Sequence, residues 1–238
     1  MATVADRMRR RKSRRAGRTT TGDETMTNHL PPTELLAEYA SGAASPGVAL
    51  LVATHLTYAP ESRRRVSMLE GVGGALLADE QPVPMSACAL DSAFAAIDGA
   101  FCEPAPRMHG SGAFNLPRPL RECLGHDEDQ IRWQFRLPGV SEYDVPGFGP
   151  EKVSLLRARP GAGIPQHTHD GTELTLVLQG ALEDDGTVYR RGDVTVNTYE
   201  HDHRPRILGE ETCLCLIVMD GGLRFTGRFS RALNYLAE

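Results

Sequence analysis

The hydrophobic pattern changes its period part-way along the chain, and this change constrains the fold more than any other feature. Between about residues 30 and 100, apolar side chains recur at three- and four-residue spacing, which is typical of helices. Beyond residue 118, short alternating or apolar runs are separated by Gly, Pro and Asp, which is typical of β-strands. We therefore predict an α+β chain of two domains. A helical bundle (26–105) and a Pro/Gly-rich linker (106–118) precede an antiparallel β-barrel or sandwich (119–238), and such halves are expected to fold independently.

Charge is distributed unevenly along the chain. Residues 1–25 carry eight basic and three acidic side chains and have no apolar periodicity, so we predict a disordered basic tail. The rest of the chain carries eighteen basic and twenty-eight acidic side chains. A folded region this acidic is a poor binder of nucleic acid and a suitable partner for a basic protein. The sequence thus predicts no direct DNA binding by the folded domains.

Hydropathy and cysteine usage indicate the cellular compartment in which the chain is expected to work. The longest apolar run is too short to cross a bilayer, and the N-terminus has no apolar signal-peptide core. The cysteines are odd in number and lack the spacing of a disulfide framework, which predicts free thiols in a reducing cytoplasm. They are Cys88, Cys102, Cys123, Cys213 and Cys215.

A group of metal-ligand residue types follows residue 160. His167 and His169 are two residues apart, so their side chains should share one face of a strand. Glu173 follows across a DGT turn, and a later segment, YEHDH, supplies His201 and His203. Imidazoles and a carboxylate that converge inside a barrel are ligands of a divalent transition metal. The sequence therefore predicts a metal site in the β domain.

These residues resemble the two motifs of the cupin superfamily. The first motif is complete: Gly161, His167, His169, Glu173 and Gly180. The second motif, anchored on Gly192, places its histidine at His203 rather than His201, although three turn positions depart from it: Thr198, Glu200 and Ile207. The resemblance implies a cupin (double-stranded β-helix) fold. It also implies one metal ion, Zn²⁺ or alternatively Fe²⁺ or Mn²⁺, with the ligands His167, His169, Glu173 and His203.

Residues 26 to about 230 resemble the ChrR type of anti-sigma factor, in which a helical domain precedes a cupin-like domain. The segments that carry the resemblance are TNHL, LLAEYASG, LVATHL, LEGVGGALL, ELTLVLQGA and CLCL. It implies that the helices sequester an extracytoplasmic-function sigma factor. It further implies that the cupin responds to singlet oxygen or related oxidants and that no substrate need be turned over.

The resemblance is incomplete at an N-terminal zinc site. In this family the zinc is held by an early histidine and a helix-borne His-x3-Cys-x2-Cys. His29 and His55 stand in the histidine positions, but Ala59 and Ser62 replace the cysteines. Glu61 can supply one further ligand, whereas structural zinc needs four N or S ligands. We therefore expect His29 and His55 to be a remnant site and His55 to be packed or hydrogen-bonded in the core.

Two other functions remain open from the sequence. Three histidines and a glutamate are also the ligand set of cupin dioxygenases, which keep positions for oxygen and substrate. Alternatively, the chain is a cupin binding module whose helices bind a protein other than a sigma factor. The absence of the zinc cysteines favours this alternative. Oxygen uptake with a small substrate would favour the enzyme, whereas an adjacent sigma-factor gene would favour the regulator.

Overall fold

The computed structural model describes residues 28–99, 116–126 and 128–227. The predicted basic tail (1–25) and most of the predicted linker (106–115) lie outside these ranges. In the described ranges, α-helices come first and antiparallel β-strands follow, which confirms the predicted α+β class. The residue limits of the two domains stay a prediction. None of the described helices is long and apolar enough to cross a membrane.

The first four helices lie where the periodicity predicts them, and a fifth begins at the last residue of the predicted linker. Proline begins the second and third helices, where a missing N–H costs nothing. Leu36, Val52 and Val66 form a small core between the first three helices. The fifth helix was not predicted, because it is short. The helices are α1 (Thr33–Ala40), α2 (Pro46–His55), α3 (Pro60–Ala78), α4 (Ala89–Gly99) and α5 (Arg118–Leu124).

The strands form three antiparallel sheets. One sheet has the order β1-β2-β3-β10-β5-β8, a second has β7-β6-β9, and a third pairs β11 with β4. This sandwich-like arrangement agrees with the predicted cupin-type fold. The strands are β1 (Gln134–Leu137), β2 (Val140–Asp144), β3 (Lys152–Ala158), β4 (His167–His169), β5 (Thr172–Gln179), β6 (Ala181–Asp184), β7 (Thr187–Arg190), β8 (Val194–Asn197), β9 (Arg206–Leu208), β10 (Cys213–Asp220) and β11 (Leu223–Phe225).

The six-stranded sheet is buried on both faces. Successive side chains of a strand point to opposite faces, and β10 divides accordingly: Leu214 and Leu216 join a core that includes Leu51 of α2 and Leu120 of α5. The other face of β10 joins a core with the three-stranded sheet: Cys213, Cys215, Leu182 and Ile207. The helices α2 and α5 therefore share a core with the sheet, and the expectation that the two halves fold independently stays a prediction.

A glycine lets α2 approach the sheet closely. A Cβ at Gly47 would lie 2.8 Å from Cγ2 of Val153 and 3.0 Å from Cγ1 of Val218. The Glu151 carboxylate accepts hydrogen bonds from the Gly47 N–H, at 2.9 Å, and from the Ser45 hydroxyl. A carboxylate at a helix N-terminus also interacts favourably with the helix dipole. The start of α2 is thus fixed to the loop before β3.

Candidate functional site

Three histidines come together in the β domain. His167 and His169 lie on β4, and His203 is bridged to His167 by two backbone hydrogen bonds of 3.0 Å. All three side chains are buried. One potential ligand nitrogen from each histidine lies within 4.8 Å of the others. This histidine trio can therefore hold a metal ion.

Hydrogen bonds orient two of these rings. The Nδ1–H of His203 donates to Oδ2 of Asp184 at 2.6 Å, and the Nδ1–H of His167 donates to the Pro165 carbonyl at 2.8 Å. In both rings the Nε2 lone pair is then left for a metal, which is the usual arrangement of metal-binding histidines. The Nε2 atoms of His169 and His203 are 3.0 Å apart. Two nitrogens bound to one tetrahedral zinc ion at 2.0–2.1 Å would be separated by about 3.3 Å, so the donor set is close to the spacing that a metal requires.

The protonation states of His167 and His169 also suit a metal. Burial, and then the neighbouring His203, lower the pKa of His167 and of His169 to about 4. Burial opposes a charge on His203 as well, but the hydrogen bond to Asp184 and that carboxylate's charge outweigh it and raise the pKa of His203. His167 and His169 are therefore neutral at pH 7, the form that binds metal ions.

Glu173 and His201 complete the set of predicted ligand candidates. The Glu173 side chain is buried, and its Oε2 lies 3.8 Å from Nε2 of His169. Its Oε1 accepts a hydrogen bond from the Thr175 hydroxyl at 3.2 Å. Glu173 thus borders the trio, and its role as a fourth ligand stays a prediction. His201 is exposed, and its Nδ1 accepts a hydrogen bond from the Thr198 N–H at 3.0 Å, so His201 does not join the trio.

A cavity of about 550 Å³ adjoins the trio. Its walls come from all three sheets and are largely apolar, with Leu156, Leu182, Ile207 and Phe225 among them. The buried thiols of Cys213 and Cys215 also line it, with their Sγ atoms 3.7 Å apart. A volume of this size is typical of pockets that hold small molecules. The sequence predicted candidate ligands but gave no sign of the cavity beside them.

The structure does not bring His29 and His55 into a metal-binding group. The His29 ring packs against Tyr189, with ring centroids 4.7 Å apart. His55 is fully buried and hydrogen-bonded through both ring nitrogens, as expected for a core histidine. Within the described ranges, the histidine trio forms the one group of three or more candidate ligands. Both histidines therefore have other partners in the described structure, and no third candidate ligand joins them there.

The C-terminal part of α3 and the whole of α4 each present apolar side chains that no other described element covers. All of these side chains are more than half exposed, and α4 has no buried residue. An amphipathic pattern predicts the apolar face of a helix but not what covers it, so the sequence analysis missed this surface. We call it the α3–α4 surface; its members are Met68, Val72, Leu76, Leu77, Leu90, Phe94 and Ile97.

Comparison with known proteins places the chain in a family. The model of the ChrR cupin-like domain matches residues 126–221. The anti-sigma-E factor ChrR of Cereibacter sphaeroides is 36% identical over 191 residues, which are 80% of this chain and 89% of that protein. The crystal structure of Rhodobacter sphaeroides SigE in complex with the anti-sigma ChrR matches with 33% identity and a TM-score of 0.71, over 82% of this chain and 100% of that chain. Because the likeness extends over the helices as well as the cupin, this chain belongs to the ChrR family of anti-sigma factors.

Proposed function

We propose that this chain is an anti-sigma factor that sequesters an extracytoplasmic-function sigma factor. The observation that carries the proposal is the uncovered α3–α4 surface. The relative of known structure is in complex with its sigma factor, SigE, and this supports a partner of the same class. In this proposal the chain acts by binding and turns over no substrate.

The form of the α3–α4 surface suits helix docking. Leu90, Phe94 and Ile97 recur at helical spacing along one side of α4, and Val72 and Leu76 do so on α3. Amphipathic helices of this kind bind apolar grooves on their partners. Full burial of one such side chain contributes about 1.5–3 kcal/mol. Several together would offset part of the free-energy cost of association.

The acidic charge of the folded region and a cytoplasmic location are both consistent with a sigma factor as the partner. The excess of acidic over basic side chains beyond residue 25 would attract a basic, polymerase-facing surface and speed association. Sigma factors act on RNA polymerase, so we propose that the protein works in the cytoplasm. It would block polymerase binding through its partner, with no contact to DNA by its folded domains.

The cupin is proposed to hold one divalent metal, most simply Zn²⁺, with Fe²⁺ or Mn²⁺ as alternatives. His167, His169 and His203 would bind it, and Glu173 would be the fourth ligand. When bound, the ion would cross-link β4 to the loop that carries His203 and supply a Lewis-acid centre. The cavity places the thiols of Cys213 and Cys215 in the same interior, which supports the proposal that this domain responds to singlet oxygen or related oxidants.

The test of sequestration uses the full chain and the sigma factors of its own genome. Phe94→Asp should weaken binding at least about 30-fold, the effect of losing a central anchor, and should restore sigma-dependent transcription. Ser92→Asp adds the same charge on the opposite side of α4, where the side chain is also exposed. It should leave binding nearly unchanged. Equal effects of the two substitutions, or no sigma factor bound by the parent chain, would reject the proposal.

A metal-dependent cupin dioxygenase is the second candidate, and the cavity beside the trio is the observation that favours it. An oxygen electrode with the metal-loaded chain and small diketone or thiol substrates distinguishes the two. Oxygen uptake that is lost in His203→Ala would establish the enzyme. Sigma binding without oxygen uptake would support the regulator.

A further inference from the structure

We infer that the described helical residues (28–99 and 116–126) bind no metal and that His55, through hydrogen bonds alone, joins α2 and α3 to the β7–β8 turn. This inference concerns the residues that stand where the family holds zinc. It is independent of the sigma-factor proposal, because it is tested by metal content and stability rather than by partner binding.

The residues around His55 do not form a zinc site. Ala59 is fully buried and has no ligand atom, and Glu61 is exposed and paired with Arg65 at 2.5 Å. The His29 ring packs on Tyr189. Structural zinc requires four N or S ligands, and this neighbourhood does not supply them.

Both ring nitrogens of His55 already have partners. The Nδ1–H donates to the Gly192 carbonyl at 2.8 Å, which requires the proton to be on Nδ1. The Ser62 hydroxyl then donates to Nε2, also at 2.8 Å. Ser62 is itself fully buried. A metal on His55 would have to displace one of these two buried hydrogen bonds, and the displaced group would be left without a partner.

These two bonds connect three separate parts of the chain. His55 is the last residue of α2, Ser62 is in the first turn of α3, and Gly192 is in the turn between β7 and β8. In that turn Gly192 lies between Arg191, whose guanidinium lies 4.8 Å from the Tyr58 ring centroid, and Asp193. His55 is therefore at the centre of the joint between helices and sheet.

The same turn also holds the beginning of the helical region. The Asp193 carboxylate accepts hydrogen bonds from the N–H groups of Asn28, at 2.7 Å, and His29, at 3.1 Å. The Val194 N–H donates to the His29 carbonyl at 3.0 Å. The two histidines that would hold zinc are thus both engaged with residues 192–194, one by its backbone and the other by its ring. Hydrogen bonds and packing here fix the segments that a metal would otherwise cross-link.

The first experiment measures zinc in the full-length protein after equilibration with zinc and removal of the excess. We expect one zinc per parent chain, one in Ser62→Ala, and none in the double variant His169→Ala/His203→Ala. Zinc retained by the double variant and lost when His55→Asn is added would overturn the inference.

The second experiment observes His55 directly and does not depend on any variant that fails to fold. In the ¹⁵N-labelled full chain, the His55 ring should show a protonated Nδ1 and an unprotonated Nε2, with shifts that stay the same in EDTA and in zinc. A zinc-dependent shift of either His55 nitrogen would contradict the inference. In EDTA, Ser62→Ala should reduce the folding equilibrium constant about tenfold or more, because it leaves a buried nitrogen unpaired. The exposed-site control Ser92→Ala should change it less than about twofold, and an equally small effect of Ser62→Ala would also contradict the inference.

Discussion

The Asp184 carboxylate accepts a 2.6 Å hydrogen bond from Nδ1 of His203, and both side chains are buried. Asp184 ends β6, whereas His203 lies between β8 and β9, so this bond joins the three-stranded sheet to the histidine trio. The other oxygen of Asp184 has no hydrogen-bond partner among the described residues. The orientation of the His203 ring therefore depends strongly on one contact.

Asp184→Asn is expected to weaken metal binding by about tenfold or more, because an amide can accept the hydrogen bond but carries no charge to support the bound ring. Titration against a competing chelator measures the change. Asp185→Asn is the matched control, since Asp185 is exposed and its left-handed backbone (φ 47°) tolerates Asn. Equal metal affinity in the two variants would exclude a role for Asp184.

Gly47→Ala is expected to lower the free energy of unfolding by about 1–3 kcal/mol, because the new methyl group would collide with Val153 and Val218. Chemical denaturation of the full chain measures it. Gly73→Ala, in α3, is the control: its Cβ would meet nothing within 4 Å, and the change should stabilise the helix by about 0.5–1 kcal/mol. Stabilisation by both substitutions would show that α2 does not approach the sheet as closely as described.

Asp193→Ala is expected to lower the free energy of unfolding by about 1.5–3 kcal/mol, the usual contribution of hydrogen bonds to a charged group. Its carboxylate accepts from the N–H groups of Asn28, His29 and Arg190. Hydrogen exchange should show that residues 28 and 29 lose protection first. Asp91→Ala removes an exposed carboxylate from α4 and should change stability by less than about 0.5 kcal/mol. Unchanged protection at residues 28 and 29 in Asp193→Ala would contradict the assignment.

Stability should fall with acid in part because of His55. Burial lowers its pKa below the ordinary 6.5, and this outweighs the opposite effects of the Gly192 hydrogen bond and the Asp193 charge. A group with a lowered folded pKa contributes stability that is present above pH 6.5 and is lost as the pH falls toward the folded pKa. Between pH 7.5 and 5.5, His55→Gln should therefore lose less stability than the parent chain. The other histidines titrate in both proteins, so equal losses would mean that His55 is not the group responsible.

Local spacing explains why the histidine trio was predictable. His167 and His169 lie on one strand, and the motif fixes the turn from there to Glu173. A short stretch of sequence therefore determines the relative positions of these side chains. His203 required only the spacing from Gly192. The partner of its Nδ1 was not predictable, because Asp184 comes from another strand and nothing in the local sequence marks it as buried.

The contact between the helices and the sheets, in contrast, was not predictable from local sequence. His55 and Gly192 are 137 residues apart, and no local pattern relates them. One signal was available for the sheet: the continuous apolar run CLCLIVM in β10 is typical of a strand buried on both faces. It could have revealed that helices cover the outer face. The short helix α5 carries Leu120 and Leu124, and Leu116 lies just before it at the same four-residue interval. This pattern was too brief to separate from a loop.

The two-sided burial of the six-stranded sheet constrains how proteins of this kind can diversify. A recombination event that replaced the helices of α2 and α5 without the strands beneath them would expose Leu214, Leu216 and their neighbours to water. The side chains of the α3–α4 surface are not constrained in this way, because they are mostly exposed in the described chain. If the sigma factor binds there, as proposed, substitutions on this surface can change the choice of partner while the packed interior stays the same.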